Sequence, residues 1–398
     1  MKQSNVFKRF RVMESETISK NGASGKRRKR ALKIILSKTF FLIFLCSFIS
    51  ACSTFKFGTG KKLKKVKISY SSVFVPEEGG INFVRITTDA DAVASPGFDA
   101  TTKTHATSKP AKSGVSWYKY PVIAVSPDGE RIGYITYKND VTNVMIKSTS
   151  QGGGSTQQTF RTDVRGFTFS PDGERVCYTE FRDGNTGIFM MNFNKGTVTQ
   201  RISPTGSNDN GPSITKDNSI FFDRFEGGFN FGLWSYDVNT GLFSNYSHGY
   251  TPCVDPTNNK IIYCARYTFD DNVSVINTSK TTYITNEKSR RSEIWKLDTE
   301  KGTEELLLSD RMSSFSSPQV SPDGKWILIT GANKSNNGIW NSNIFVIQSN
   351  GTRFTQLTYH PGNDMSAVWS ADGKSIYFVS QRGTEKGLYN IWRMNFSL

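Results

Sequence analysis

Two kinds of apolar run alternate along this chain, both with the period of two expected where every second side chain enters a core. The first kind opens on a charged or polar residue: Arg131-Ile132-Gly133-Tyr134-Ile135, Arg175-Val176-Cys177-Tyr178-Thr179, Ser219-Ile220-Phe221-Phe222, Lys260-Ile261-Ile262-Tyr263-Cys264, Lys325-Trp326-Ile327-Leu328-Ile329 and Lys374-Ser375-Ile376-Tyr377-Phe378. The second kind follows each of these: Asn143 to Ile146, Gly187 to Met191, Gly232 to Tyr236, Glu293 to Leu297, Asn343 to Ile347 and Asn390 to Met394. Aromatic and β-branched side chains dominate both, which suits half-buried antiparallel strands.

A turn precedes every run of the first kind. Four are clear: Ser126-Pro127-Asp128-Gly129, Ser170-Pro171-Asp172-Gly173, Ser321-Pro322-Asp323-Gly324 and Ser370-Ala371-Asp372-Gly373. Thr215-Lys216-Asp217-Asn218 and Asp255-Pro256-Thr257-Asn258-Asn259 are degraded copies. Pro presets φ, Asp caps the adjoining backbone and Gly accepts φ > 0, so the tetrapeptide predicts a hairpin turn. Repetition makes Asp128, Asp172 and Asp323 structural caps. Successive turns end 44, 45, 41, 65 and 49 residues apart. Self-similarity at that period, with several strands per repeat, predicts a β-propeller, and the 65-residue interval is one blade with an insertion.

Six turns and six runs of the second kind make six blades, but only five fourth strands follow them: Ser155 to Phe160, Thr197 to Ile202, Leu242 to Tyr246, Glu304 to Leu308 and Phe354 to Thr358. The sixth is expected from the other end of the chain, where Phe83-Val84-Arg85-Ile86-Thr87 matches Phe354 to Thr358 in pattern. The expected fold is therefore all-β, a six-bladed β-propeller of four-stranded antiparallel blades closed by the N-terminal strand. Closure removes a blade edge that would otherwise pair with another chain.

The Ser-Pro-Asp-Gly-Lys/Glu-x-Ile-x-Tyr pattern, the Leu357-Thr358 ending of a fourth strand and the Pro361-to-Asp364 loop resemble the six-bladed propeller of the TolB family. The resemblance covers roughly residues 80 to 398 and implies the fold more than the function, because the same repeat serves translocation proteins, peptidase propellers and lyases. Nothing in the chain matches the separate N-terminal α/β domain of TolB itself, so a partner-binding role comes by analogy.

The N-terminus adds a location. Lys26-Arg27-Arg28-Lys29-Arg30 precedes the apolar run Phe40 to Ile49 and then Ser50-Ala51-Cys52. A basic segment, about ten apolar residues and a small residue before the cut describe a secretory signal, and the run is short of the about 20 residues a spanning helix needs. Ile49-Ser50-Ala51-Cys52 is similar to a bacterial lipobox, which implies lipidation of Cys52. The expected domains are a lipoprotein signal at 1–51, a lipidated Cys and basic tether at 52–80, and the propeller at 81–398. By resemblance to bacterial sorting rules, Ser53 and the absence of a following acidic run imply an outer-membrane lipoprotein facing the periplasm. The membrane is thus one partner, reached through the lipid anchor.

The formal net charge of +16 changes meaning when divided. Residues 1–51 hold 12 Lys/Arg and 2 Asp/Glu, residues 52–67 hold six Lys and no acid, and residues 68–398 hold 32 of each sign. A neutral propeller gives no footing for nucleic-acid binding. The lysines beside Cys52 suit either contact with anionic headgroups or a solvated spacer.

Candidate chemistry is sparse. Of the cysteines beyond Cys52, Cys253 and Cys264 align almost opposite each other across one hairpin, and a disulfide between them is open beside buried free thiols. No metal site and no cofactor are expected, because three His in the whole chain and no Cys-x-x-Cys or Gly-x-Ser-x-Gly motif supply too few groups. The unusual material falls on one face, where second-to-third and fourth-to-first connections lie. That face carries the Tyr267-to-Ser292 insertion, the Gly331-to-Ser342 loop with Trp340, and the Ala90-to-Tyr120 excursion with Trp117 and Tyr118. Asp209, His248, His360 and Asp364 fall in its fourth-to-first loops, as candidate contacts or as loop caps. Enlarged loops on one face of a rigid scaffold predict binding. The expectation is a non-enzymatic envelope protein that docks an unidentified envelope protein. A carbohydrate or glycan binder is the alternative, and a lyase or hydrolase using the two His comes third.

Overall fold

The computed structural model describes residues 82–93, 98–99, 104–105, 120–138, 141–150, 153–160, 163–192, 199–227, 230–269, 275–277, 282–284, 290–310, 313–334, 340–383 and 388–397. The chain divides into Met1–Ile68 and Ser69–Leu398. The first unit, with Cys52 and the expected signal, lies outside the described residues, and so does the whole of the expected tether at 52–80. Among the described residues no helix is long and apolar enough to cross a membrane.

Ser69–Leu398 forms six four-stranded antiparallel sheets, blades I to VI. In each, the first three strands run inside to outside in chain order. The innermost strands are Ile123–Val125, Val164–Phe169, Asp209–Ile214, Tyr250–Asp255, Ser313–Val320 and Asp364–Trp369. They touch in cyclic order, and blade VI returns to blade I. The core lies between blades, where strands of period two bury both faces: Ile132, Val176, Ile220, Ile262, Ile327 and Ile376 occupy one equivalent site and are all fully buried or nearly so.

The turn chemistry is as expected. In blade I the Gly129 amide donates to Ser126 O at 2.9 Å, the Glu130 amide to Asp128 Oδ1 at 2.9 Å and the Arg131 amide to Ser126 Oγ at 3.0 Å. Blades II, V and VI repeat the set. Gly129, Gly173, Gly324 and Gly373 sit at φ between 70° and 76°, where a side chain would be strained.

Closure also follows the sequence. Val84–Arg85 pairs antiparallel with Asn390–Asn395 at Val84↔Arg393 and Arg85↔Trp392. Thr355–Gln356 pairs with the third strand of blade V in the same way. Fourth strands are shorter than expected in blades I and V, where only Ser155–Gln157 and Thr355–Gln356 are regular.

Blade IV closes one alternative that the sequence left open and changes one expectation. Cys253 and Cys264 are free and buried. Cys253 is paired with Tyr263, so Cys264, one residue further on, points to the other face. Cys253 packs toward blade V among Val320 and Phe315, and Cys264 toward blade III with Phe221 and Leu233. A one-residue difference in register reverses the face, so no bond joins them. The Tyr267-to-Ser292 insertion is not simply a loop. Its ends continue the second and third strands of blade IV, Asn258–Phe269 and Arg290–Asp298, and a short hairpin, Val275–Asn277 with Thr282–Ile284, lies between.

Candidate interaction face

Blades IV and V raise the longest hairpins on the face opposite the Ser-Pro-Asp-Gly turns. The second strand of blade IV runs 12 residues against six in blade VI, and its pairing reaches Phe269↔Arg290. In blade V, Trp326–Lys334 and Trp340–Gln348 pair out to Lys334↔Trp340, which puts Trp340 at the end of that hairpin.

These projections stand on an aromatic footing. The Tyr267 ring lies 4.8 Å from Tyr250 and 6.2 Å from Phe231, and those two rings are 5.5 Å apart. Ser292 Oγ donates to Phe315 O at 2.6 Å across the seam between blades IV and V. Arg291 Nη1 donates to Glu293 Oε1 at 3.0 Å and to Ser309 Oγ at 2.7 Å. Tilted ring contacts and crossed hydrogen bonds fix the described base of the hairpins.

The sequence-nominated residues separate into three groups. Asp209 and Asp364 are fully buried and are not in loops; each is the first residue of an innermost strand. Arg224 grips Asp209 with two bonds, Nε to Oδ1 at 2.7 Å and Nη2 to Oδ2 at 3.0 Å. Arg382 Nη2 reaches Asp364 Oδ2 at 2.6 Å, and its guanidinium lies 4.2 Å over the ring of Phe83. Both Asp therefore serve the scaffold, because a buried carboxylate needs a charged partner. His360 is buried as well: its Nδ1 accepts from the Gly362 amide at 3.0 Å and its carbonyl accepts from Asn341 Nδ2 at 3.0 Å.

His248 is the exposed member. It ends the outer strand Phe243–His248 opposite Gly232, and Gly249 alone connects to the next blade. Nearby, Arg266 Nη1 donates to Glu304 Oε2 at 2.7 Å while its guanidinium lies 4.6 Å over the Trp295 ring. The Arg266 bond, then the Ser247 hydroxyl, hold the Glu304 carboxyl below its usual range, and neighbouring His248 adds to this. Trp117 and Tyr118 lie outside the described residues. Trp340 is placed by its backbone alone.

Tyr120 and Asp223 escaped the sequence reading. The Tyr120 hydroxyl donates to Asp223 Oδ1 at 2.8 Å, so a residue before the first strand of blade I is bonded to the second strand of blade III. Asp223 Oδ2 also accepts from the Thr251 amide of blade IV at 2.9 Å. Burial, reinforced by the Asp223 charge, pushes the Tyr120 phenol well above its usual value. Gly211, at φ 61°, leaves room for the Tyr120 ring, which comes within 2.8 Å of where a Cβ would be. The available signal was a lone Asp inside the apolar strand Ile220-Phe221-Phe222-Asp223.

Among the described residues no group of three or more His, Cys, Asp or Glu is arranged to hold a metal ion. A family model, the TolB beta propeller domain, matches residues 115–288 and 274–397. Among solved structures the chain is similar to TolB from Acinetobacter baumannii, with a TM-score of 0.50 and 15% identity over 67% of this chain and 64% of that one. It is also similar to the oligogalacturonate lyase of Vibrio parahaemolyticus, with a TM-score of 0.50 and 11% identity over 81% of this chain and 96% of that one. At these identities the likeness is one of fold. No match was found among curated protein sequences.

Proposed function

Because this chain belongs to the TolB beta propeller domain family, we propose that it is a non-enzymatic cell-envelope lipoprotein whose loop face docks a protein in the periplasm. The observation that carries this reading is the pair of adjacent hairpins raised by blades IV and V on a fixed aromatic base. Rigid scaffolds bind through such projections at small entropic cost. The nominated carboxylates support it too, since Asp209 and Asp364 are committed to Arg224 and Arg382 inside the scaffold.

Anchoring is part of the proposal. Cys52 carries the lipid, residues 53–80 form a tether, and the propeller faces the periplasm from the outer membrane. More than one acyl chain is expected, since a single chain binds membranes only marginally.

The test is photo-crosslinking in intact cells from position 276 on the blade IV hairpin, with position 374 beside a Ser-Pro-Asp-Gly-type turn as control. A covalent adduct with an envelope protein from 276 and not from 374 is expected. No adduct from 276, together with retention of the chain on a polysaccharide column, replaces the proposal with a glycan-binding function.

A further inference from the structure

Blade V leaves the side-chain oxygens of Asn333, Asn341 and Asn343 shielded from solvent and without a hydrogen-bond partner. The strand register brings the three together. Asn333 is paired with Asn341, and Asn343 follows two residues on, opposite Gly331, so all three side chains leave one face of the sheet. Ser313, paired with Asn333 on the first strand, joins that face. Further down, the same face carries Phe315, Ile329 and Phe345, which pack against Tyr263, Ala265 and Ile294 of blade IV.

Asn343 departs from a pattern that other blades keep. Asn143, Asn343 and Asn390 each precede the residue whose amide donates to a fourth-strand threonine hydroxyl. In blades I and VI that hydroxyl also donates to the asparagine, Thr159 to Asn143 Oδ1 at 3.3 Å and Thr87 to Asn390 Oδ1 at 3.0 Å. In blade V Thr358 makes only the first of these bonds, and Asn343, 7% exposed, keeps an unpartnered Oδ1. The orientation of Asn341 is set by its own donor, since Nδ2 donates to His360 O at 3.0 Å and leaves Oδ1 on the other side. The Ser313 hydroxyl donates to the Asp310 carboxylate, which brings a negative charge beside the group.

Carboxamide oxygens only accept, and a buried acceptor without a donor is costly. Opposed side chains on antiparallel strands start about 4.5–5.5 Å apart at Cβ, so their oxygens can share one partner. A water molecule has two hydrogens and cannot satisfy three acceptors. A cation can, and calcium accepts asparagine carbonyls among its oxygen ligands at about 2.3–2.6 Å. We infer that Asn333, Asn341 and Asn343, with Ser313 Oγ, form a calcium-binding site at the base of the blade V hairpin. A bound ion ties the second strand to the third just below Trp340, the residue before Asn341. Neutral ligands with one carboxylate nearby put the affinity at the weak end, about 10⁻⁴–10⁻³ M. The site stands independently of the protein-docking reading.

The test is thermal melting of the chelator-treated protein with calcium chloride, against magnesium chloride and against sodium chloride at equal ionic strength. A ligand that binds only the folded state raises the midpoint with its concentration. Calcium is expected to raise the wild-type midpoint. Magnesium should raise it much less, because it demands octahedral geometry at about 2.0–2.1 Å and gives up water reluctantly. Asn343→Leu should melt no lower than wild type without calcium, since its Oδ1 gives up no bond, and should not respond to the ion. In Asn333→Ala the apparent affinity should fall about tenfold, a loss of about 1.4 kcal/mol, and this variant carries the test if Asn343→Leu does not fold. A calcium response equal in wild type and variant, a response that magnesium matches, or no response at all overturns the inference.

Discussion

Thr87 Oγ1 accepts a hydrogen bond of 2.9 Å from the Ile391 amide, across 304 residues of chain. Blade V makes the same bond locally, from the Ile344 amide to Thr358 Oγ1 at 2.9 Å, and blades I and II make it through Thr159 and Ser203. The N-terminal strand therefore fills the place of a fourth strand in detail, down to the hydroxyl that caps the third. Removing residues up to and including Thr87 should expose the edge of Asn390–Asn395 and cause aggregation or a large fall in melting temperature. Thr87→Val should cost about 1–3 kcal/mol, since it strands the buried Ile391 amide. Deleting residues 53–67 should change neither. Ring closure has no such weight if a chain starting at Thr88 is monomeric and melts like the mature protein.

The Asp364–Arg382 pair is buried at both ends, whereas Arg224 of the Asp209 pair is partly exposed. Asp364→Ala should destabilise by about 3–5 kcal/mol, because it leaves a buried guanidinium without its carboxylate. Asp209→Ala should cost less. Chemical denaturation of both variants checks the order, and Asp364→Leu combined with Arg382→Met should recover most of the loss.

Acid should loosen the turns before neutral pH does anything to them. Hydrogen bonds from the hydroxyls of Ser126, Ser321 and Ser370 hold the carboxyls of Asp128, Asp323 and Asp372 below the usual 3.8. A depressed folded value means the contribution is complete above the unfolded value and is lost as pH falls through the folded one. Stability should thus be level in this respect above about pH 5 and decline below pH 3.8. A combined Asp→Asn replacement at the three turns should flatten that decline in melts recorded between pH 2 and 5.

Thiol chemistry should be silent in the native state. Burial pushes Cys177, Cys253 and Cys264 each up to about 12, which leaves almost no thiolate at neutral pH. A thiol reagent should find these three unreactive until denaturant is added and then titrate all three. Non-reducing mass analysis showing a Cys253–Cys264 bond would contradict the register of blade IV.

The anchor is tested separately. Cys52→Ala should leave the propeller folded but move it from membrane to soluble periplasmic fractions, or block removal of residues 1–51. Unchanged mass and unchanged membrane association sink the lipid-anchor reading.

The repeat itself was legible in the sequence because everything that encodes it is local. A Ser-Pro-Asp-Gly turn specifies its own hydrogen bonds within five residues, and period-two runs specify which side chains enter the core. Even closure could be read, since Phe83 to Thr87 carries the same pattern as Phe354 to Thr358. Register was another matter. The pairing of blade IV shifts at Tyr250/Cys253 and again at Val254/Asp255, so counting along the hairpin misplaced Cys264 by one residue and hence by one face. Burial of charge was equally hidden. Asp209 and Asp364 resemble loop caps until Arg224, on the next strand, and Arg382, in the turn just past it, are in place. Tyr120 finds Asp223 103 residues away only once the ring is closed. Local backbone chemistry wrote the blades; which polar groups meet inside them depends on contacts between distant strands, and these exist only in the folded ring.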